Sequence, residues 1–260
     1  MKQNQQITSA IENGYSFRTG DYFNQGLEIF KKNPGGYIGY IIVFGVISMI
    51  TGLIPILGNL IGLVINPPLA VGMAIAAHKQ ETEQNEDFGN FFKGFDHIVQ
   101  LVIANILMLG IYFFISLPLI YNIGLPIIMS IISGNPEDAF ELFSQIENFG
   151  LVFFFTILVS IFITISLRWT NYFIVFYKYD AIEALKTSWK MVNKNWFSHL
   201  GFGILAFLIM IGGLIALIIG IIFVIPIVAA ADYAAFSDVT GLGNKEDAID
   251  EIGNENEYLV

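Results

Sequence analysis

Four stretches of this chain, 33–78, 97–136, 148–167 and 195–231, contain no Asp, Glu, Lys or Arg, and together they make up more than half of its 260 residues. A water-soluble fold cannot bury so much uncharged Phe-, Ile- and Leu-rich sequence, because even its inner helices keep a polar stripe. A bilayer asks for it, since about 20 apolar helical residues cross about 30 Å of hydrocarbon. The hydrophobic fraction of 55% and mean hydropathy of +0.67 agree. Charged residues are 13% of the chain, against roughly 25% in soluble domains. The chain reads as an all-α integral membrane helical bundle.

Length sets the number of crossings. The run 33–78 would be about 69 Å long as one helix, more than twice a bilayer, so it must fold back. Thr51-Gly52-Leu53-Ile54-Pro55 is the natural break, predicting spans near 37–54 and 57–77. In 195–231 the break is expected at Gly212-Gly213, giving spans near 198–212 and 214–235. Single spans near 98–119 and 150–172 complete six.

Basic residues orient them. Lys2, Arg18, Lys31 and Lys32 precede the first span, Lys79 and Lys93 follow the second, and Lys178, Lys186, Lys190 and Lys194 follow the fourth. The connection 120–149 has four acids and no Lys or Arg. Six spans put every lysine-bearing segment on one side, which the positive-inside rule makes cytoplasmic, with both termini. The membrane domain is read as 1–236, followed by an acidic, solvated and disordered cytoplasmic tail 237–260 that holds seven acids and one lysine. The polar first 34 residues predict no cleavable signal peptide. Nothing suggests nucleic-acid binding, and the absence of cysteine excludes disulfides, thiolate metal sites and a cysteine nucleophile.

Three amphipathic segments border the spans. In 22–32 (helix about 20–33), Tyr22, Phe23, Leu27 and Phe30 share a face, with Asp21 as N-cap. In 180–196, Ile182, Leu185, Trp189, Val192 and Trp196 form an apolar stripe beside Lys186, Lys190 and Lys194, the pattern of a helix lying on anionic lipid. In 135–149, Ala139, Phe143 and Ile146 follow an Asn-Pro-Glu-Asp helix start. Each is expected to anchor in the interface or to dock a partner.

An internal repeat is visible. Phe30-Lys31-Lys32-Asn33 leads into a hairpin carrying Asn66-Pro67-Pro68, and Val192-Asn193-Lys194-Asn195 leads into one carrying Ile225-Pro226. Both are entered from the same side, as parallel repeats. Matched proline-interrupted helices mark midplane sites in transporters. The stretch Gly26-Leu27-Glu28-Ile29-Phe30-Lys31-Lys32-Asn33-Pro34-Gly35 resembles a group of uncharacterised bacterial multi-pass proteins. So do Tyr179-Asp180, Ala184-Leu185, Ser188-Trp189, Asn195-Trp196, Pro226-Ile227 and Asp232-Tyr233. The group is similar to the membrane domain attached to some bacterial glycerophosphodiester phosphodiesterases. That resemblance implies six helices and a cytoplasmic-membrane address, and it carries no catalytic residues.

Chemistry is sparse. Arg168 is the basic residue closest to a span interior, where a charge is costly enough to imply a role. With Trp169 and Tyr172 beside it, it reads as an interfacial anchor. As a functional group it would bind an anionic headgroup or substrate, near Asn66, Pro67, Pro226 or Asn105. His78, His97 and His199, with Asp96 and Asp232, fall near cytoplasmic span ends without the spacing of a metal motif. Ser116, Ser160 and Ser166 are expected to bond back to helix carbonyls. Gly212/Ala216/Gly220 and Ala230/Ala234 should serve close helix packing. No catalytic residue, metal or cofactor is expected. The partners expected are the lipid bilayer and a membrane protein or a second copy of the chain. The functional reading is a non-enzymatic organiser of lipids or partners, with a small transporter or channel as the alternative.

Because the chain lacks cysteine, its topology is directly testable. In intact cells a membrane-impermeant maleimide should label Asn135→Cys and leave Lys186→Cys unlabelled until the membrane is opened.

Overall fold

The structure is a computed structural model describing residues 2–54, 56–83, 85–135, 149–216 and 219–242. Among these residues all regular structure is helical, and six helical runs are long and apolar enough to cross a membrane. Helices α1 (Lys2–Asn13) and α2 (Thr19–Lys32) precede the first hairpin of α3 (Pro34–Gly52) and α4 (Leu57–Ala70). After α5 (Gly72–Thr82) and a 3-10 segment (Phe88–His97) comes α6 (Ile98–Leu119), which passes through a π-turn (Ile120–Gly124) into α7 (Leu125–Ser133). Then follow α8 (Phe149–Ser166), α9 (Thr170–Tyr177), α10 (Ala181–Lys194), α11 (Trp196–Ile215) and α12 (Ile219–Thr240). Two compact units result, Met1–Ala104 with Ser166–Val260, and Asn105–Ile165.

Within the first unit, the aromatic rings of Phe236, Trp169, Tyr172 and Phe173 cluster with centroids 5.1–5.4 Å from Phe236. Burial separates inner from outer helices: 61% of the apolar window in Leu57–Thr82 is buried, against 11% in Pro34–Gly52. The exposed Ile42, Val46, Met49 and Ile50 of α3 are therefore lipid-facing. In the second unit, Tyr112 and Thr164 hydroxyls meet at 2.9 Å. There Ser116 and Ser160 donate back to the Phe113 and Thr156 carbonyls, as expected. Ser166, of the first unit, has Asn193 Oδ1 as an acceptor at 3.0 Å.

Helix α2 docks on protein. Its buried face is Tyr22, Phe23, Gly26, Ile29 and Phe30, shifted from the stripe expected, and it packs along α12. Gly26 permits this: an added Cβ would stand 2.6 Å from both the Ala231 nitrogen and the Ile227 carbonyl oxygen. Arg18, not Asp21, occupies the N-cap position, and Asp21 sits in the first turn where the helix dipole favours it.

The chain departs from the expected boundaries where glycine and proline act otherwise than as breakers. Helix α11 runs through Gly212-Gly213 to Ile215, because Gly213 serves close approach: a Cβ on Gly220 would meet the Gly213 carbonyl at 2.4 Å. The span read as 98–119 continues to Ser133, the π-turn after Pro118 absorbing the missing donor while Asn122 Nδ2 takes the Pro118 carbonyl at 2.7 Å. Span 57–77 divides at Val71, after Pro67-Pro68. The expected Thr51–Pro55 reversal is present, with Ile56 at φ +63°. Helix α12 extends past Phe236 to Thr240, taking Asp238 out of the expected tail into an ion pair with Arg18. The amphipathic segment 135–149, apart from its two end residues, and the tail from 243 onward lie outside the described residues.

The repeat has a constant register. Thr19 and Ala181, Pro34 and Trp196, and Leu57 and Ile219 open corresponding helices 162 residues apart (181 − 19, 196 − 34, 219 − 57). The buried sets Tyr22, Gly26, Ile29, Phe30 and Ala184, Ser188, Met191, Val192 match at the same offset. Asn33 and Asn195, between amphipathic helix and span, share an unusual backbone (φ −139°, ψ 63° and φ −137°, ψ 42°). Pro67 and Pro226 do not correspond, being 159 apart (226 − 67).

Gly26→Ala should destabilise the protein by about 1–2 kcal/mol in detergent thermal unfolding, because overpacking against backbone outweighs the ~1 kcal/mol gain in helix propensity. Gly45→Ala, with nothing within 4 Å of its Cβ, should be neutral or stabilising.

Candidate functional site

The site begins at a break in a span. Helix α8 stops at Ser166 and α9 restarts at Thr170, leaving backbone groups unpaired in an apolar setting where each would cost several kcal/mol. Ser188 of α10 splices the gap: its hydroxyl donates to the Ser166 carbonyl (3.0 Å) and accepts from the Trp169 amide (3.2 Å). Small Ala184 and Ser188 let α10 approach closely enough, both being fully buried. The turn Leu167–Trp169 redirects Arg168 and Trp169 toward α11 and α12.

Arg168 there pairs with Asp232 of α12, their side chains 15% and 21% exposed. Asp232 Oδ1 accepts from Arg168 Nη2 and from Trp169 Nε1, the latter at 3.0 Å. The guanidinium lies 4.4 Å from the Phe202 ring centroid, a cation–π placement. A chain of polar contacts leads away from it. Arg168 Nη1 is 3.4 Å from His199 Nδ1, His199 Nε2 is 2.7 Å from Tyr15 Oη, and Tyr15 donates to the Met191 carbonyl at 3.0 Å. One proton arrangement satisfies all: Tyr15 spends its hydrogen on Met191, so Nε2–H donates to Tyr15 and the bare Nδ1 faces Arg168. His199 is then neutral, its one N–H is given to Tyr15, and its bare Nδ1 faces the guanidinium.

The loop between α1 and α2 closes this end. Phe17 stacks 4.4 Å from His199, Lys194 donates to the Glu12 carbonyl and Asn195 to that of Tyr15. Burial raises the Tyr15 phenol above its usual range and pushes Tyr22 up to about 12, so Tyr22 remains the donor to Asp238 (2.6 Å).

On the other side of the ion pair lies a cavity of about 420 Å³ between α11 and α12. Arg168, Tyr172 and Asp232 form one end, and Phe202, Gly203, Ala206, Met210, Ile225, Val228 and Ala229 form the walls. The trough exists because Gly203, Ala206 and Ala229 are small. A second cleft of about 330 Å³ brings His78 and His97 together with Lys79, Lys93 and Asp96. His199 takes no part in it.

Of the residues singled out from sequence, Arg168 lines the cavity and Pro226 is buried beside its wall residue Ile225. Asn66 is exposed and Pro67 buried on α4, and neither lines the cavity. Asn105 belongs to the other compact unit. Lys186, Lys190 and Lys194 are exposed, Trp189 is 39% exposed, and Trp196 is half-buried at the start of α11. Leu185 is half-buried and Ile182 exposed, so the α10 stripe divides: Ala181, Ala184, Ser188, Met191 and Val192 face the protein. Sequence reasoning missed Asp232, His199 and Phe202 as partners of Arg168, and Tyr15 as the partner of His199. The usable signal was charge: an intramembrane cation needs a counter-ion, and Asp232 ends the last uncharged run.

Six helical runs long and apolar enough to cross a membrane, with an Arg168–Asp232 ion pair inside one compact unit, define an all-α multi-pass membrane protein. Residues 87–243 match the family described as Domain of unknown function (DUF7847), and the chain belongs to that family. The matched region contains Arg168, His199, Phe202 and Asp232. No curated protein and no solved structure matches the chain.

Arg168→Leu or Asp232→Leu alone should cost about 3–5 kcal/mol, since each strands a charge. The double variant should cost less than either single one in a double-mutant cycle of detergent unfolding.

Proposed function

We propose that the chain is a non-enzymatic, lipid-organising protein of a bacterial cytoplasmic membrane, with both termini in the cytoplasm and the α11–α12 groove as the seat of a lipid. The observation that carries this reading is the continuity of an apolar trough with an ion pair in one cavity of about 420 Å³, within the ~300–1,000 Å³ usual for ligand sites. An amphiphile has that division of character. The exposed face of α10 supports it: Ile182 and Trp189 stand beside Lys186 and Lys190, as in a helix resting among anionic headgroups. The resemblance at the chain's two ends to the membrane domain of phosphodiesterases supports the membrane address.

The transporter reading draws on the repeat, the paired prolines and Arg168. Of these the proline pairing is the weakest support, since Pro67 and Pro226 are out of register and α12 stays helical through Pro226. Purified protein should retain a stoichiometric lipid on mass spectrometry, lost when Ala206→Phe fills the trough. Reconstituted liposomes should show no solute flux above that of empty ones. Flux that collapses in Arg168→Ala would establish a transporter instead.

A further inference from the structure

The two halves of the repeat treat corresponding hairpins differently, and the difference identifies what the second one receives. In the first half Tyr40, the counterpart of Phe202 at the 162-residue offset, is covered by protein. Phe91 of the 3-10 segment stacks on it at 4.8 Å and Phe92 meets it edge-on at 5.5 Å. The segment presses in closely: a Cβ on Gly94 would stand 2.1 Å from the Pro68 carbonyl, and one on Gly72 would stand 2.1 Å from that of Phe91. In the second half Phe202 is buried by Phe23 at 4.7 Å, Phe17 at 6.1 Å and the Arg168 guanidinium at 4.4 Å, with no aromatic segment pressed in after the hairpin among the described residues, and the cavity opens alongside.

We propose that the α11–α12 groove binds an amine-bearing phospholipid of the phosphoethanolamine type, its phosphate on Arg168, its ammonium on Asp232 and an acyl chain along Gly203, Ala206 and Val228. This rests on the reading that the groove holds a lipid, and adds the headgroup. Of the five guanidinium N–H groups, two have partners among the described residues, and the side chain borders the cavity. Asp232 accepts from Arg168 and Trp169 through one carboxylate oxygen and lies against Tyr172, and its carboxylate borders the cavity, where a ligand cation would meet it. A headgroup bearing only negative charge would sit against that carboxylate and be repelled. A zwitterion places opposite charges on both members of the pair.

The test uses the full chain in detergent, stripped of lipid and then offered vesicles with equal amounts of phosphatidylethanolamine, phosphatidylglycerol and phosphatidylcholine. Retained lipid is read by mass spectrometry. Wild type should retain phosphatidylethanolamine over phosphatidylglycerol by about tenfold or more, the worth of one charge-assisted contact. Asp232→Asn should erase that preference while still retaining phospholipid, and Ala206→Phe, which leaves the ion pair intact, should abolish retention of all three. Equal retention of the three lipids by wild type would overturn the headgroup assignment and leave the groove standing. Retention of none, or retention unchanged by Ala206→Phe, would overturn the groove itself. Displacement of bound lipid by equimolar soluble phosphoethanolamine would overturn the claim that the ligand is a membrane lipid.

Discussion

A guanidinium placed in a span without other charges must have its counter-ion built into the fold, and the Arg168–Asp232 pair meets that demand. It ties the turn Leu167–Trp169, before α9, to α12 beside α11, with Phe202 beneath the cation. Three further features follow from it. The break at Leu167–Trp169 aims Arg168 inward, Ser188 keeps that break from leaving bare backbone, and His199 with Tyr15 orients the guanidinium from behind. Isolated, each of these would be a liability in an apolar medium. Joined, they form a single polar thread through the bundle.

The class of fold could be read from the chain because it rests on one property, the length of charge-free runs, which no tertiary contact overrides. The six spans and the reversal after Thr51 came from that property. What could not be read came from residues with two uses. Gly213 looks like a helix breaker and is a contact point for Gly220; Pro118 looks like a terminus and only widens the helix into a π-turn. Ser188 and Ala184 look unremarkable in an amphipathic pattern, yet they form the face that meets the protein, displacing Ile182 and Trp189 outward. Small residues carry no hydrophobic signal, so packing through them is invisible to periodicity. The site was half legible: Arg168 stood out by its cost, whereas its partners lay in other helices at separations of 31 and 64 residues.

The internal repeat was visible in the tetrapeptides Phe30–Asn33 and Val192–Asn195, which carry the 162-residue register, whereas the prolines do not. Matching the prolines by eye misaligns the halves by three residues, nearly one helical turn. The constant offset of helix starts, caps and buried faces corrects this. It shows that the amphipathic helix belongs to the repeated unit. It also explains why α2 and α10 both bury a face against protein while keeping lysines outside.

That register has a consequence for how the two halves can change. A hairpin sealed by aromatic rings from its own chain is constrained at every position those rings touch, so Tyr40, Gly72 and Gly94 form a closed lock in which each part restricts the others. The sister hairpin carries no such mutual restriction along Gly203, Ala206 and Val228. Substitutions there alter what the protein meets without first unpicking its own interior.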